Sequence, residues 1–305
     1  MSSIVDHLNW RWKSRRHARL AHGILATPPI VPRDDGVVLF SMIGTRVVLP
    51  YLVAAKSLHR HLGRGRLIIL DDGTLSPADH ALLAEQCGQP EVIALAAVDT
   101  GPCPRGGTWE RLLTILDRRA DDYVIQFDSD TVTTGLMPEV AAAIDAGRSF
   151  GLRGDATVVL ADGAALAASL PPLPEPMHVQ QAIERVMGEL GPAGLRYFRG
   201  CSGFAGFARS DAGRVLAEHF SAAAQARLGA ARWREWGTEQ VTSNVVIANE
   251  PDPLLLPYHR YLNFWNEALP ADARLVHFLG TCRFRGTAYL DATRAAIAGA
   301  AITAS

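Results

Sequence analysis

The chain has 305 residues, of which 48% are hydrophobic, 20% are charged, 30 are basic and 31 are acidic. At roughly 150 residues per domain this length predicts one large or two small domains, and the composition excludes disordered, collagen-like and disulfide-scaffold chains. The formal net charge of -1 excludes a global field that would attract nucleic acid or an anionic membrane, so we predict no nucleic-acid partner.

The sequence predicts a cytoplasmic location. Its N-terminal region lacks the apolar h-region of a secretory signal, and no stretch approaches the roughly 20 apolar residues that cross a bilayer. The four cysteines have no CxxC spacing, which favours thiols in a reducing compartment over a disulfide framework or a zinc knuckle.

Residues 1–35 predict a basic helix followed by a linker. Four arginines and a lysine lie between positions 11 and 19, no acidic residue occurs between Asp6 and Asp34, and the segment TPPIVPRDDG is rich in helix breakers. A basic helix can lie on a membrane or on nucleic acid. Because its apolar stripe is weak, we expect an arm docked on its own domain, with membrane contact as the alternative.

From Gly36 onward, short apolar runs alternate with helical periodicity. Ser76 followed by Pro77 and Asp79 is a typical helix start. The predicted elements are strands GVVLFS (36–41), RLIIL (66–70), EVIAL (91–95) and YVIQF (123–127), with helices after positions 47, 76 and 107. This βαβαβαβ order predicts an α/β protein with a mostly parallel central sheet flanked by helices.

The second half of the chain is less regular. The Pro-rich PPLPEP (171–176) interrupts an Ala-rich region (155–200) that we assign to helices and a loop. Further predicted elements are a strand at 203–208, helices at 211–228 and 238–249, the latter capped by Thr238, and a strand at 274–278. No internal repeat is present, which favours one α/β domain (36–290) with a C-terminal Ala-rich helix (291–305).

Ligands of an open parallel sheet bind outside the carboxyl ends of its strands. The first strand ends in Ser41-Met42-Ile43-Gly44-Thr45, which matches neither GxGxxG nor GxxxxGK[ST], so the sequence does not support a dinucleotide-binding site or a P-loop. The fourth strand ends in Asp128-Ser129-Asp130. Alternate residues point the same way, so these two carboxylates can serve one divalent cation such as Mn²⁺ or Mg²⁺. A turn capped by these side chains is the alternative.

A histidine that ends the last apolar strand is the second signal. His277 can complete a metal site with the two aspartates, and Arg283 can clamp phosphates bound there. The alternatives are a buried structural histidine and a surface arginine in a chain that has only two lysines.

Four motifs together resemble the glycogenin-like retaining glycosyltransferases (family 8-like) of the GT-A fold, over about residues 36–286. Where that family has DxD, NSG, DQxxxN and HFxGxxKPW, this chain has DSD (128–130), CSG (201–203), EQVTSN (239–244) and HFLGTCRFR (277–285). The resemblance implies a nucleotide-binding half (36–135), an acceptor and donor-sugar half (136–290), a UDP-sugar donor and a sugar, lipid or protein acceptor.

The same resemblance implies roles for individual residues. Asp128, Asp130 and His277 would bind Mn²⁺ or Mg²⁺, and Glu239 and Gln240 would face the donor sugar as catalytic residues. The candidates for binding the nucleotide diphosphate are Ser41, Asp71, Asp72, Arg111, Ser129, Gly280 and Arg283. For Arg111 we favour a solvated helix-face position.

Several departures keep other functions open. Cys201 replaces Asn, Glu239 replaces Asp, and Arg283-Phe284-Arg285 replaces Lys-Pro-Trp. The turn Asp71-Asp72-Gly73 resembles the turn after the second strand of inverting GT-A transferases. In those enzymes an aspartate of this turn accepts a hydrogen bond from the nucleobase.

Two rival functions remain outside sugar transfer. IQFDSDTV also fits a haloacid-dehalogenase-type phosphohydrolase with Asp128 as nucleophile, although no lysine follows Lys56. A non-catalytic nucleotide-sugar binding protein would keep the metal ligands without turning over the donor.

Overall fold

A computed structural model describes residues 4–172 and 176–302. Within the predicted PPLPEP interruption, residues 173–175 lie outside the described part, as do residues 1–3 of the predicted N-terminal region and 303–305 of the predicted C-terminal helix. The chain divides into two compact units. Unit 1 comprises 1–93, 127–141 and 259–305, and unit 2 comprises 94–126 and 142–258.

Strands and helices alternate as the sequence predicts. The strands are β1 (Val37–Ile43), β2 (Arg66–Asp71), β3 (Glu91–Ala94), β4 (Tyr123–Phe127), β5 (Thr131–Thr133), β6 (Phe150–Arg153), β7 (Ala161–Asp162), β8 (Arg196–Tyr197), β9 (Gly200–Phe207), β10 (Leu254–Leu255), β11 (Tyr261–Asn263) and β12 (Leu275–His277). The helices are α1 (Ile4–Ala21), α2 (Val48–Leu62), α3 (Pro77–Gln86), α4 (Trp109–Arg118), α5 (Pro138–Asp145), α6 (Gly163–Ser169), α7 (Val179–Glu184), α8 (Val215–Leu228), α9 (Ala230–Trp233), α10 (Thr238–Ala248) and α11 (Ala288–Ile302).

The central sheet has seven strands, and the predicted α/β class is confirmed. Unit 1 contributes the order β1-β2-β3 and unit 2 the order β10-β6-β9-β4. Strands β1 and β2 pair in parallel, as do β10 and β6, whereas β6 and β9 are antiparallel. The residues of β1 from Val37 to Phe40 are fully or almost fully buried, as expected for a strand covered on both faces.

Local sequence signals explain where two helices begin and end. Helix α3 begins at a capping box, in which the Ser76 side chain accepts from the backbone of Asp79 and the Asp79 side chain accepts from that of Ser76. Helix α2 ends at Gly63, which adopts a left-handed φ of 68° that costs glycine little.

The predicted cap of α10 is wrong. The N-cap residue is Gly237, whose φ is 103°, and Thr238 is the first helical residue. Its hydroxyl lies 3.0 Å from the Trp109 indole Nε1, from which it accepts a hydrogen bond. The threonine therefore ties α10 to α4 rather than capping its own helix.

Helix α1 docks on α11 and α2 within unit 1. His17 is buried, stacks on Tyr289 with 4.0 Å between ring centroids and lies 3.0 Å from the Thr293 hydroxyl. Burial and, as a smaller cause, the charge of Arg283 together lower the pKa of His17 to about 4. Across the described residues, every helix is too short or too polar to traverse a bilayer.

Candidate functional site

A small three-stranded sheet in unit 1, in the order β11-β12-β5, brings the predicted metal ligands together. Strand β5 begins at Thr131, directly after Asp130, and pairs antiparallel with β12 so that Thr131 lies opposite His277. The Phe278 amide donates to the Asp130 carbonyl at 2.9 Å. Residues almost 150 positions apart in sequence thus become neighbours through strand pairing.

The side chains of Asp128, Asp130 and His277 converge on one point. The His277 Nε2 atom lies 3.2 Å from Asp130 Oδ1 and 3.8 Å from Asp128 Oδ2, and one ligand atom of each residue lies within 4.8 Å of the others. Two carboxylates and an imidazole form a donor set that suits Mn²⁺ and also accepts Mg²⁺. The residues therefore fit the cation that the sequence predicts.

Asn263 sets the orientation of the imidazole. Strands β11 and β12 pair in parallel with Asn263 beside His277, and Asn263 Oδ1 lies 3.0 Å from His277 Nδ1. An amide oxygen only accepts hydrogen bonds, so this pairing places the proton on Nδ1 and directs the Nε2 lone pair toward the aspartates. A ligand histidine held in this way is typical of metal sites.

Positive charge holds Asp130 in its ionised form. Burial alone would raise its pKa, but when the His277 ring is doubly protonated its charge and hydrogen bond, together with the charge of Arg283, lower the pKa below its usual value. Arg283 Nη2 lies 2.8 Å from Asp130 Oδ2. Gly280 is exposed, and a Cβ at this position would lie 3.3 Å from the same Nη2 atom.

Two of the other predicted ligand-binding residues lie around the same strands. Ser41 is fully buried and its hydroxyl donates to the Phe127 carbonyl at 2.6 Å. It therefore fixes the backbone immediately before Asp128. Ser129 is half-buried between the two aspartates.

The turn after β2 is closed by its own carboxylates. Asp71 Oδ1 accepts from the Gly73 amide at 2.8 Å, and Asp72 Oδ1 accepts from the Thr74 amide at 2.9 Å. A Cβ on Gly44 would overlap the Asp72 carboxylate, so the loop after β1 requires glycine for this close approach. The carboxylates of both aspartates thus stabilise the turn itself.

A second polar cluster lies in unit 2. Arg111 Nη2 lies 3.2 Å from Glu239 Oε2 and 3.1 Å from the Ser202 hydroxyl. Arg111 is 6% exposed and Glu239 is 1% exposed, so the solvated helix-face position that we favoured for Arg111 is wrong. The Thr108 hydroxyl also donates to Glu239 Oε2, at 3.0 Å. A buried charge is kept ionised by such a partner.

Gln240 is oriented by the same cluster. The Ser202 amide donates to Gln240 Oε1 at 3.1 Å, and Gln240 Nε2 lies 3.4 Å from Gln180 Oε1. The Ser202 hydroxyl donates to the same oxygen at 3.4 Å, so the backbone and a side chain of β9 both engage it. Asn244, one helical turn later, donates to the Gly200 carbonyl at 3.1 Å, which fixes α10 along the same strand.

Asn263 and Thr108 are site residues that the sequence patterns do not reveal. Asn263 lies on a three-residue strand, which is too short to show periodicity, and only the pairing of β11 with β12 reveals its role. From its sequence context, Thr108 is predicted only as the start of a helix. The available signal for Thr108 is that a polar residue stands directly before the helix that carries Arg111.

Comparison with known proteins finds solved structures of similar fold but no matching sequence family. Neither a protein-family model nor a curated protein matches the chain. The bifunctional glycosyltransferase WbbM, in its apo structure, superposes with a TM-score of 0.51 at 15% identity, covering 83% of this chain. The alignment spans 47% of WbbM, so this chain covers about half of its length.

A second structural likeness extends over nearly the whole length of the compared protein. An active-site mutant of LgtC superposes with a TM-score of 0.51 at 12% identity, over 86% of this chain and 95% of that one. The galactosyltransferase LgtC in complex with donor and acceptor sugar analogues gives a TM-score of 0.50 over 84% of this chain. The fold is the GT-A fold. At these identities the GT-A likeness concerns architecture, and function has to be argued from the site.

Proposed function

We propose that this chain is a metal-dependent glycosyltransferase that moves a sugar from a nucleotide-diphosphate donor to an acceptor. One observation carries the proposal: on a GT-A fold, Asp128 and Asp130 meet His277 in a set of ligands suited to a divalent cation. The finer parts of the proposal are Mn²⁺ as the metal, a UDP-sugar as the donor and retention of anomeric configuration, and they rest on the motif resemblance.

The chemistry follows from the leaving group. Breaking the bond between an anomeric carbon and a nucleoside diphosphate places negative charge on the terminal phosphate, and a bound divalent cation stabilises that charge. Asp128 and Asp130 would supply the carboxylates that hold the cation, and His277 would supply a neutral nitrogen. Arg283 offers a guanidinium that can pair with the phosphates once it leaves Asp130.

The motif resemblance assigns Glu239 and Gln240 to the donor sugar. The Gln240 amide oxygen, which accepts from the Ser202 amide at 3.1 Å and from the Ser202 hydroxyl at 3.4 Å, is assigned to positive charge that develops at the anomeric carbon. Glu239, ionised beside Arg111, is assigned to hydrogen bonds with sugar hydroxyls. Arg111 is then a positioning residue, since its guanidinium contacts Glu239 and Ser202.

A donor-turnover assay tests the proposal. Thermal-shift screening of nucleotide sugars with and without Mn²⁺ first identifies the donor, because a ligand that binds only the folded state raises its melting temperature. Release of the nucleoside diphosphate from that donor is then measured. We expect Asp130→Asn to reduce the rate by at least about a hundredfold, which is about 2.7 kcal/mol of lost transition-state stabilisation.

Asp121→Asn is the matched control, because Asp121 is exposed and lies on the loop before β4. It should retain the wild-type rate. An absence of metal-dependent shifts across the panel would contradict the proposal. Release of phosphate from simple esters, with vanadate inhibition dependent on Asp128, would favour the phosphohydrolase instead.

A further inference from the structure

Helix α1 has two chemically different faces. The inner face packs on unit 1: the rings of Trp10 and Phe284 meet edge to face at 5.4 Å, and Lys13 Nζ donates to the Gly286 carbonyl at 3.5 Å. The outer face carries residues at positions 12, 15, 16 and 19, which is the i, i+3, i+4, i+7 spacing of a single helical stripe. We call this stripe the outer basic face; its members are Trp12, Arg15, Arg16 and Arg19.

The outer basic face is open to solvent. Trp12 is 59% exposed and the three arginines are exposed. Among the side chains that the structure describes, these four line a cavity of about 490 Å³. Arg16 lies over the Trp12 ring, 5.6 Å from its centroid, and so presents a cation beside an aromatic surface.

Beyond Asp6, helix α1 carries no acidic residue that could compensate the charge of this face. No acidic residue occurs between Asp6 and Asp34, and within the described part of the chain the three arginines form no ion pair. On the neighbouring helix α11, the pKa of Asp291 is lowered mainly by hydrogen bonds from Thr287 and Arg294. The charge of Arg16 is a smaller cause of the same shift. The net result is a local positive surface on a chain whose overall charge is -1.

We propose that the outer basic face docks on an anionic phospholipid surface. Arginines attract anionic headgroups over about a Debye length, and a tryptophan with an apolar ring and a polar N–H suits the boundary between headgroups and acyl chains. Because the opposite face of α1 is held by Phe284 and α11, the helix lies along the protein surface and meets the bilayer lengthwise. The inference is independent of sugar transfer.

Vesicle co-sedimentation of the full chain tests the proposal. Phosphatidylcholine vesicles with phosphatidylglycerol are expected to retain the protein at low salt, and pure phosphatidylcholine vesicles are not. The triple variant Arg15→Gln, Arg16→Gln, Arg19→Gln should lower the partition coefficient by about a hundredfold, since each arginine near the surface contributes about fivefold. Trp12→Ala should weaken partitioning also at high salt, where charge attraction is screened.

The matched control replaces three exposed arginines of unit 2 by glutamine, at Arg209, Arg227 and Arg234. It changes the net charge equally and should partition within about threefold of wild type. Unchanged melting temperatures show that each variant folds. The proposal would be overturned if partitioning did not depend on phosphatidylglycerol. It would also be overturned if both triple variants reduced partitioning equally. Salt-sensitive binding to a labelled single-stranded DNA without binding to vesicles would overturn it in favour of nucleic acid.

Discussion

Replacing Arg111 with methionine should reveal how strongly the buried ion pair stabilises unit 2. Glu239 is 1% exposed, and in the variant its carboxylate loses the guanidinium that lies 3.2 Å from it in the wild type. Removing one partner of a buried pair costs about 3 to 5 kcal/mol, and we expect the lower value of about 3 kcal/mol because Thr108 still donates to the carboxylate. The double variant Arg111→Met, Glu239→Met removes both charges and should recover at least about 1 kcal/mol.

The expected change is large enough to measure. A loss of about 3 kcal/mol lowers the melting midpoint by about 5 °C if the whole chain unfolds together, and by about 10 °C if only the roughly 150 residues of unit 2 unfold. Urea unfolding followed by tryptophan fluorescence reports on this region because Trp109 and Trp233 are almost fully buried. Arg209→Met, at an exposed site, is the control. The reasoning fails if the unfolding free energy of Arg111→Met stays within about 0.5 kcal/mol of wild type. It also fails if the destabilisation of the double variant equals the sum of those measured for Arg111→Met and Glu239→Met.

Three further predictions concern unit 1. His17 is neutral when folded, since burial lowers its pKa to about 4, whereas the unfolded chain protonates it near 6.5. Stability should therefore fall by about 1.4 kcal/mol from about pH 7.5 to about pH 5.5, and His17→Asn should lack this component of the slope in urea titrations. Gly44→Ala should cost about 2 kcal/mol, because the added Cβ meets a carboxylate of the next loop. Gly23→Ala, with ordinary contacts, should stay near wild type by thermal melting. Asn263→Leu should weaken Mn²⁺ binding about 10- to 100-fold in calorimetry by releasing His277; equal affinity would contradict its orienting role.

Local patterns carried much of the fold. Buried parallel strands are continuous apolar runs, so YVIQF marks β4 at both ends, and the capping box at Ser76 marks the start of α3. The motif Asp128-Ser129-Asp130 with a distant His277 indicated the metal ligands, because strand ends of a parallel sheet gather polar residues at one edge.

The rest depends on contacts between distant residues, which no local pattern encodes. The amphipathic pattern of α4 does not reveal that Arg111 meets Glu239 from 128 positions away. Asn263 lies on a strand of three residues whose partner is chosen by tertiary pairing. The cap of α10 was misassigned for a similar reason, since Trp109 of another helix engages the hydroxyl of Thr238.

The central claim is that one imidazole joins two carboxylates around a single cation. Pulsed electron paramagnetic resonance of Mn²⁺ bound to the protein measures it directly, because a coordinated histidine nitrogen modulates the electron spin echo. The expected result is a nitrogen coupling in the wild type that His277→Gln removes and that His259→Gln, at a residue whose side chain is 61% exposed, retains. Bound Mn²⁺ without a nitrogen coupling, or a coupling that survives His277→Gln, would contradict the account.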